Sequence, residues 1–523
     1  MGEKLLRLKK FVTFYVLLPV ILDVVIESLN RKSLFSAFSY MVEQPFLFLF
    51  NVLIIMLTLS VAMYFKREIF VLVFMSVVWL LFGIVNFVIL HFRVTPFSAV
   101  DFTLISSAIS VSGHYLTAFN VVMIFFAIAL LVVSMVVLFR KTPCIQKNKT
   151  KKAYMLSTFV VLVVITSIFV MHKSSTSVQA LAENYTNISE AYENYGFVYC
   201  FANSIIDTGI KKPEDYSEES VSKLKATISD KQQDTKVKPD IIMIQLESFF
   251  DICDVKKISF SRDPLPNFHR LQKEYTNGQL TVPTVGAGTV NTEFEVLTGM
   301  SQHDFGVSEY PYKTVLKSKT SESICNDLAE IGYTSHAVHN NTATFYGRNK
   351  VFSNLGFDSF TSVEYMNNIT LNPNGWVKDD VMVDEILRTL NTNREKPCFT
   401  FGITVQSHGK YNDVDPDAKD PIEVYNSPEG KEDSYRYYVN EINEVDQMIG
   451  RLISALEKRK KPTVLVLYGD HLPSLELTNE DLNDGSLYET QYIVWNNYGL
   501  KEKDQDLTAY QLYSEVLDQV GIH

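Results

Sequence analysis

The apolar residues of this chain crowd into its first third, and this uneven distribution limits what the chain can fold into. Five segments are long and apolar enough to cross a bilayer. They run over about 11–29, 45–65, 69–91, 119–139 and 153–171. Soluble cores do not stack five such runs with so few polar residues between them, so we predict a five-helix transmembrane region over residues 1–172. The first segment is the weakest candidate for a span because it contains Asp23 and Glu27. We expect these charges to face the bundle interior or to lie near the interface.

The charged residues divide the chain at the same place. Residues 1–172 carry 15 Lys and Arg against 6 Asp and Glu, a net charge of +9, whereas residues 173–523 carry 33 against 53, a net charge of −20. We interpret this break as a change of solvent from lipid to water. The acidic second part argues against nucleic acid as a partner, because phosphate backbones bind patches of Lys and Arg.

Basic residues indicate the orientation in the membrane. They cluster in the N-terminus and in the loops after the second and fourth spans, which lie on one side if the chain has five spans. The positive-inside rule makes that side cytoplasmic. We therefore expect a cytoplasmic N-terminus and an extracellular part that begins with a polar linker arm over 173–236. The small-x-small pattern Ala180-Leu181-Ala182 is of the kind that a signal peptidase reads, so cleavage after Ala182 or a plain alanine-containing linker would each fit.

From Asp240 onwards, apolar strand-like runs alternate with amphipathic helical stretches. This alternation predicts an α/β domain over 237–523 with a central, mostly parallel sheet. Three of the predicted strands end in polar residues, namely Glu247, His408 and the pair Asp470-His471. Ligands of parallel sheets gather at the carboxyl ends of strands, so these side chains are expected at one site.

The segment Gly286-Ala287-Gly288-Thr289 precedes a helix that is expected from Asn291 to Thr298. Glycine permits backbone angles and close approaches that side chains forbid. The free N–H groups of a helix start favour an anion, and a hydroxyl at that point can be activated as a nucleophile. A plain turn before a helix is the simpler interpretation of the segment alone.

Four of these residues together predict a metal site. The candidate ligands are Glu247, Thr289, Asp470 and His471. Two carboxylates, an imidazole and a hydroxyl suit Mn²⁺, Zn²⁺ or Mg²⁺, and such an ion would lower the pKa of the Thr289 hydroxyl. Arg348 could hold a phosphoryl oxygen through its planar fork, and His408 could bind the substrate or protonate a leaving group. Taken singly, the pair Asp470-His471 also fits a surface turn, Glu247 also fits a helix cap, and Arg348 also fits a solvated helix residue.

Five motifs, in this order along the chain, resemble those of the alkaline phosphatase/sulfatase superfamily. They are Leu246-Glu-Ser-Phe249, Gly286-Ala-Gly-Thr-Val-Asn-Thr-Glu-Phe294, Phe345-Tyr-Gly-Arg348, Gln406-Ser-His-Gly-Lys-Tyr411 and Tyr468-Gly-Asp-His-Leu-Pro473. Within that superfamily the chain is similar to lipoteichoic acid synthases and related phosphoglycerol transferases, which also place five spans before an extracellular sulfatase-like domain.

The resemblance implies roles for individual residues. It makes Thr289 the nucleophile. It implies a metal, usually manganese, with the ligands Glu247, Thr289, Asp470 and His471. The substrate-binding residues that it implies are His339, Asn341, Tyr346, Arg348 and His408. Two of these depart from the family pattern, since Tyr346 stands where the family has a tryptophan and Asn341 where it has an acidic residue.

The resemblance also implies a function in the bacterial cell membrane. The protein would move glycerol phosphate from phosphatidylglycerol to an acceptor hydroxyl through a covalent threonine intermediate. The acceptor would be a lipoteichoic acid type polymer or a glycolipid of the cell envelope. The alternatives of the same fold are a phosphoethanolamine transferase and a phosphodiesterase. An inactive membrane-tethered binding module is the alternative from a different class.

Overall fold

The structure of the protein is a computed structural model, and most of the chain is described in it. The described residues are 9–91, 95–105, 108–109, 113, 117–144, 188–206, 209–210, 212–213, 215–227, 237–306, 309–392, 395–411, 420–483 and 485–523. The chain divides into two compact units, which we describe separately. The first comprises Met1–Phe102, Tyr115–Thr208 and Gly306–Ser308, and the second comprises Thr103–His114, Gly209–Phe305 and Glu309–His523.

The first unit is helical. Four of the five predicted spans are helices long and apolar enough to cross a membrane. They are α1 (Lys9–Asn30), α3 (Pro45–Tyr64), α4 (Glu68–Ile89) and α5 (Ala118–Lys141), with the shorter helix α2 (Leu34–Glu43) between the first two. The predicted fifth span, 153–171, and Ala182 lie outside the described residues, so the number of spans and the cleavage remain predictions.

Two further helices belong to the first unit, although the sequence predicts a linker arm there. They are α6 (Ile188–Tyr195) and α7 (Phe197–Ile206). Tyr192, Phe197 and Phe201 are part of this unit's buried core, so this stretch of the predicted polar arm is packed into that core. Farther along the predicted arm, α8 (Glu218–Thr227) has no buried residue and fits the expected polar connector.

Glu27 shows how the membrane helices hold α7. Its carboxylate pairs with Arg31 at 3.0 Å and accepts a hydrogen bond from the Phe197 N–H at 2.7 Å. Asn51 accepts one from the Tyr199 N–H at 2.6 Å. The first N–H groups of a helix have no partner within it, and here side chains of α1 and α3 supply one. Glu27 is fully buried, which confirms that this charge faces the bundle interior.

The second unit is built on an eight-stranded sheet with the strand order β10-β3-β9-β8-β1-β6-β4-β5. The strands of this unit are β1 (Asp240–Leu246), β2 (Ser259–Phe260), β3 (Thr276–Thr281), β4 (Thr334–His339), β5 (Ser359–Ser362), β6 (Cys398–Ile403), β7 (Val424–Tyr425), β8 (Thr463–Gly469), β9 (Glu489–Asn496) and β10 (Leu507–Thr508). Strand β1 runs parallel to β6 and β8, and β4 runs parallel to β5 and β6, whereas β9 is antiparallel to both of its neighbours. The predicted mostly parallel sheet is therefore confirmed.

The apolar composition of the central strands accounts for their position. Every residue of β1, β6 and β8 is buried, as expected for strands covered by helices on both faces. The helices after α8 are α9 (Pro266–Glu274), α10 (Thr289–Thr298), α11 (Ile324–Glu330), α12 (Arg348–Asn354), α13 (Val381–Thr392), α14 (Glu432–Glu457) and α15 (Leu512–Gln519). The long helix α14 buries Tyr438, Ile442 and Ile449 in the same core cluster as the central strands, which fixes the strand ends that carry the candidate site.

Candidate active site

The register of the central strands brings the predicted polar residues together. Leu246 of β1 lies beside Gly469 of β8, so Glu247 and Asp470 follow directly at adjacent strand ends. On the other side, His339 at the end of β4 lies beside Ile403 of β6. The site therefore forms at the carboxyl ends of neighbouring parallel strands, where ligands of such sheets bind.

The glycine segment presents Thr289 to this edge. Gly286 and Gly288 have φ angles of 71° and 101°, a region that favours glycine, and a Cβ at Gly288 would stand 2.9 Å from the Thr284 side chain. Helix α10 begins at Thr289, two residues earlier than predicted. The Thr289 hydroxyl is buried and donates a hydrogen bond to Glu247 Oε2 at 3.1 Å. The hydroxyl thus lies at a helix start and touches a strand-end carboxylate.

Glu247, Asp470 and His471 form a buried cluster whose potential ligand atoms all lie within 4.8 Å of one another. His471 Nε2 is 3.4 Å from Asp470 Oδ2 and 3.7 Å from Glu247 Oε1. Within the described part of the chain, Asp470 Oδ2 and His471 Nε2 have no hydrogen-bond partner, although both are buried. Unpaired buried polar atoms are costly, and two carboxylates with an imidazole are a donor set that divalent metals accept. These residues therefore fit a metal ion.

Hydrogen bonds prepare His471 to act as a ligand. Its Nδ1 lies 2.9 Å from the Leu472 carbonyl oxygen, which can only accept, so Nδ1 carries the proton and Nε2 keeps its lone pair. Burial lowers the pKa of His471, which keeps the ring neutral. Burial raises the pKa of Asp470 well above its usual range, and the neighbouring Glu247 adds to the shift. A divalent cation would offset the repulsion between these two carboxylates.

Neighbouring groups orient the carboxylates. Asp470 Oδ1 accepts from the backbone N–H of Ser248 at 2.7 Å and from its neighbour His471 at 2.8 Å. The Ser248 hydroxyl donates to Glu247 Oε1 at 3.0 Å, and the Thr404 hydroxyl accepts from the Glu247 N–H at 2.9 Å. Ser248 has a φ of 49°, and such left-handed residues cluster at functional sites. These contacts leave Asp470 Oδ2 facing His471.

A second buried group surrounds Arg348. Its Nε lies 3.1 Å from both oxygens of Glu293, and its Nη2 also contacts that carboxylate. Its Nη1 lies 3.2 Å from His339 Nε2. Because a guanidinium only donates, His339 Nε2 accepts, and its Nδ1 donates to the Ile403 carbonyl at 2.9 Å. Burial, followed by the charge of Arg348, holds the pKa of His339 well below its usual range.

Glu293 was not identified from the sequence as a site residue. It lies four residues after Thr289 on α10, and this spacing places both residues on one face of a helix. That spacing is the sequence signal that would have found Glu293. Its partner Arg348 could be recognised only by its motif, because it comes from a distant segment.

Tyr346 lies beside Arg348 and is held by aromatic packing. It has a φ of 55°, and its ring is stacked on Tyr310 with the centroids 6.4 Å apart. The Arg348 Cζ is 5.3 Å from the Tyr346 ring centroid, and the Lys313 Nζ is 5.6 Å from it. Lys313 had no predicted role. Burial, and then the charge of Arg348, lowers the pKa of Lys313 to about 8.

The two remaining residues that were predicted to bind the substrate are His408 and Asn341. After burial, the nearby His408 adds to the lowering of the pKa of His471, and the His408 ring centroid lies 4.6 Å from that of Trp376. Asn341 follows β4, and its side-chain oxygen accepts from the N–H of the next residue at 2.7 Å. Among the described residues, Asn341 makes only such local side-chain hydrogen bonds, so the structure does not tie it to the metal-ligand candidates.

Comparison with known proteins agrees with this geometry. The profile of the Sulfatase family matches residues 239–522. The chain is 28% identical over 351 residues to a Rhizobium meliloti (strain 1021) protein assigned to cyclic beta-1,2-glucan modification, covering 64% of this chain and 54% of that protein. It is 26% identical over 243 residues to the lipoteichoic acid synthase of Staphylococcus saprophyticus, covering 45% of this chain and 36% of the synthase.

A solved structure has the same fold. The Streptococcus pyogenes phosphoglycerol transferase GacH in complex with sn-glycerol-1-phosphate aligns with a TM-score of 0.52 and 24% identity, over 60% of this chain and 84% of that chain. The chain spans about half the length, or less, of the curated relatives that it matches. The family profile nevertheless covers more than half of the chain and includes every candidate site residue. The chain therefore belongs to the sulfatase family, with lipoteichoic acid synthases and phosphoglycerol transferases among its relatives.

Proposed function

We propose that this membrane protein is a metal-dependent phosphoglycerol transferase. It would move glycerol phosphate from phosphatidylglycerol to an acceptor hydroxyl of a cell-envelope polymer or glycolipid, through a covalent intermediate on Thr289. The observation that carries the proposal is the position of the Thr289 hydroxyl, which lies 3.1 Å from Glu247 in the pocket where Asp470 and His471 leave buried ligand atoms unpaired.

Glu247, Asp470 and His471, with the Thr289 oxygen, would hold the metal, and Mn²⁺ is the ion that we propose first. When bound, the ion makes the threonine oxygen a better nucleophile and withdraws charge from the phosphoryl group. An unassisted threonine hydroxyl is too weak a nucleophile for this reaction. Thr289 is the first residue of α10, and the start of a helix favours the negative charge that develops there.

The reaction has two balanced steps. In the first, the Thr289 hydroxyl releases its proton to water, its oxygen forms a bond to phosphorus, the bond to the diacylglycerol oxygen breaks, and His408 supplies the proton to that leaving oxygen. In the second, the acceptor hydroxyl loses its proton to His408, its oxygen bonds to phosphorus, the bond to Thr289 breaks, and the Thr289 oxygen takes up a proton from water. One imidazole thus serves as acid and then as base. Arg348, held by Glu293, would bind a non-bridging oxygen in both steps.

The test uses the full chain in liposomes that contain Mn²⁺, fluorescent phosphatidylglycerol and a glycolipid as the acceptor. We expect diacylglycerol release by the wild-type protein, loss of release in Thr289→Ala, and partial release in Thr289→Ser, which retains a hydroxyl. Mass spectrometry of a stalled reaction should find glycerol phosphate on the peptide that contains Thr289. The matched control is Thr298→Ala at the other end of the same helix, because the Thr298 hydroxyl donates to the backbone of Phe294.

Several outcomes would contradict the proposal. Unchanged release in Thr289→Ala would remove the threonine from its role, and an adduct on Thr292 would transfer that role to the next hydroxyl of α10. Release in the absence of any acceptor, with free glycerol phosphate as the product, would favour a phosphodiesterase. Activity confined to phosphatidylethanolamine would favour a phosphoethanolamine transferase, and no turnover of either lipid would favour a binding module.

A further inference from the structure

Three apolar side chains are exposed on the loop that follows β5. They are Tyr365, Ile369 and Leu371, with exposed fractions of 73%, 44% and 57%. Among the described residues of 237–523, five large apolar side chains are exposed, and these three lie within seven consecutive residues. Single exposed apolar residues are normal, whereas several together mark a contact with a partner or a membrane. We call residues 363–371 the rim loop.

The rim loop begins at the edge of the sheet that carries the candidate active site. Ser362, the last residue of its strand β5, lies beside His339 of β4, at the carboxyl ends of the parallel strands. The Val363 N–H donates to the Asn341 carbonyl at 3.1 Å. In the strand order, β4 and β6 separate β5 from β1, so three strand spacings, roughly 14 Å, lie between the loop and the end of β1. A phospholipid spans half of a bilayer, roughly 20 Å, so one molecule can bridge this distance.

Hydrogen bonds hold the rim loop in place. Met366 is buried between the exposed side chains, and its N–H donates to the Val363 carbonyl at 3.1 Å. The Asn372 side chain, directly after the loop, donates to the Gln406 carbonyl at 3.0 Å, two residues before His408. Both ends of the loop are therefore tied to segments that carry candidate substrate-binding residues.

The charge of this stretch differs from that of the surrounding chain. Residues 365–377 are thirteen consecutive residues without a charged side chain, whereas residues 173–523 carry 33 basic and 53 acidic ones. An acidic surface is repelled by a bilayer that contains anionic lipids such as phosphatidylglycerol. A contact with such a bilayer therefore requires an uncharged part of the surface, and the rim loop supplies one.

The side chains of the rim loop also suit the boundary between lipid head groups and acyl chains. Ile369 and Leu371 are apolar, and Tyr365 combines an apolar ring with a polar hydroxyl, as interfacial aromatic residues do. The acceptors of the proposed reaction are polar, so they would not bury these side chains. The four helices that are long and apolar enough to cross a membrane would hold the chain at a bilayer.

We propose that the rim loop is a membrane-contact surface. Tyr365, Ile369 and Leu371 enter the interface of a phospholipid bilayer and hold the edge of the site against the membrane from which the donor lipid is drawn. This inference rests on the proposed function, since the donor of that reaction is a membrane lipid. The two are tested by different measurements.

The first test measures contact with the bilayer and needs no turnover. The full chain with Tyr365→Trp is reconstituted in liposomes of phosphatidylcholine and phosphatidylglycerol, in which brominated acyl chains quench tryptophan fluorescence. We expect more quenching than in the wild type, whose three tryptophans give the background. The matched control is Lys458→Trp, because Lys458 is exposed in the turn between α14 and β8, at the opposite edge of the sheet. Its added fluorescence should not be quenched.

The second test separates a membrane contact from a role inside the site. The donors are fluorescent phosphatidylglycerol in liposomes and glycerophosphoglycerol, its water-soluble deacylated form. In a triple variant with Tyr365→Ser, Ile369→Ser and Leu371→Ser, we expect kcat/KM for the liposomal donor to fall about tenfold, because apolar area is no longer buried in the bilayer. The value for the soluble donor should not change. Val237→Ser, which shortens another exposed apolar side chain, should leave both values unchanged.

The outcomes separate this inference from the proposed function. A Tyr365→Trp fluorescence that brominated lipid does not quench overturns the membrane contact, as it would if a second copy of the chain or the acceptor covered the loop. An equal loss on both donors overturns it as well and assigns the loop to the site itself. Added quenching without turnover of either donor supports the contact and overturns the transferase. If the triple variant melts below the wild type, or the soluble donor is not used, the quenching of Tyr365→Trp against Lys458→Trp decides.

Discussion

Two clusters near the end of β1 contain similar residue types, but they differ in whether their histidine has a lone pair free to bind a metal. The first is Glu247, Asp470 and His471, which we call the buried cluster. The second is Asp251, Cys253 and His269, which we call the surface cluster, and its members are half-buried or exposed. Each offers three potential metal ligands within 4.8 Å of one another, so residue types and distances alone do not separate them.

The two histidines explain the difference. His269 Nε2 lies 3.0 Å from Asp251, and its Nδ1 lies 2.9 Å from Asp263. Carboxylates that are ionised only accept, so both ring nitrogens carry protons and the ring has no lone pair for a metal. The hydrogen bond to Asp251, followed by that to Cys253, raises the pKa of His269 to about 11. His471 is neutral and keeps the lone pair of Nε2, so a metal site depends on a free lone pair as well as on residue type.

The largest expected effect comes from removing each histidine in turn. We expect His471→Ala to lose bound Mn²⁺ and to lower transfer activity by more than about 100-fold, because even outer-shell partners of a metal are worth 10–100-fold. His269→Ala should keep both. The measurements are metal content after dialysis and diacylglycerol release. Metal lost from His269→Ala, or kept in His471→Ala, would reverse the assignment of the two clusters.

The strand ends of the buried cluster could be predicted from the sequence. Apolar runs mark β1 and β8, and the polar residue after each run must lie at the shared edge if the strands are parallel. This reasoning predicts the positions of Glu247, Asp470 and His471, and the glycines before Thr289 predict the turn that supplies the hydroxyl. Each of these strands has seven residues, and an apolar run of this length favours a buried strand over a helix.

Other features could not be predicted because they depend on tertiary contacts. Glu293 and Arg348 are 55 positions apart, and nothing in their spacing indicates a pair. Lys313 lies in a turn between elements, where neither helical nor strand periodicity places a side chain. The sequence places helix α7 in a polar arm, whereas the structure packs it against α1 and α3. The side chains that accept from its first N–H groups, Glu27 and Asn51, are far away in the sequence, so the sequence does not indicate this packing.

Metal binding should also stabilise the protein through the buried cluster alone. At a Mn²⁺ concentration of 100 times the Kd, the folded state gains about 2.7 kcal/mol, since the ion binds the folded chain and not the unfolded one. Thermal unfolding in EDTA and in Mn²⁺ should show a higher Tm with the metal for the wild type and for Cys253→Ala. The Tm of His471→Ala should be the same in both. A metal-dependent Tm that disappears in Cys253→Ala would assign the ion to the surface cluster.

The smallest expected effect is a pH-dependent contribution of the surface cluster to stability. The pKa of His269 rises from an ordinary 6.5 to about 11 on folding, so its contribution is fully present below pH 6.5 and is lost as the pH rises towards 11. Because the pair is partly solvated, we expect about 1 kcal/mol at pH 6. In EDTA, the wild type should therefore melt about 2 °C above His269→Gln at pH 6, and the gap should shrink steadily at pH 8 and pH 9.5. A gap that widens with pH would mean that His269 is neutral in the folded state and has a lone pair to offer, and the contrast between the two clusters would then fail.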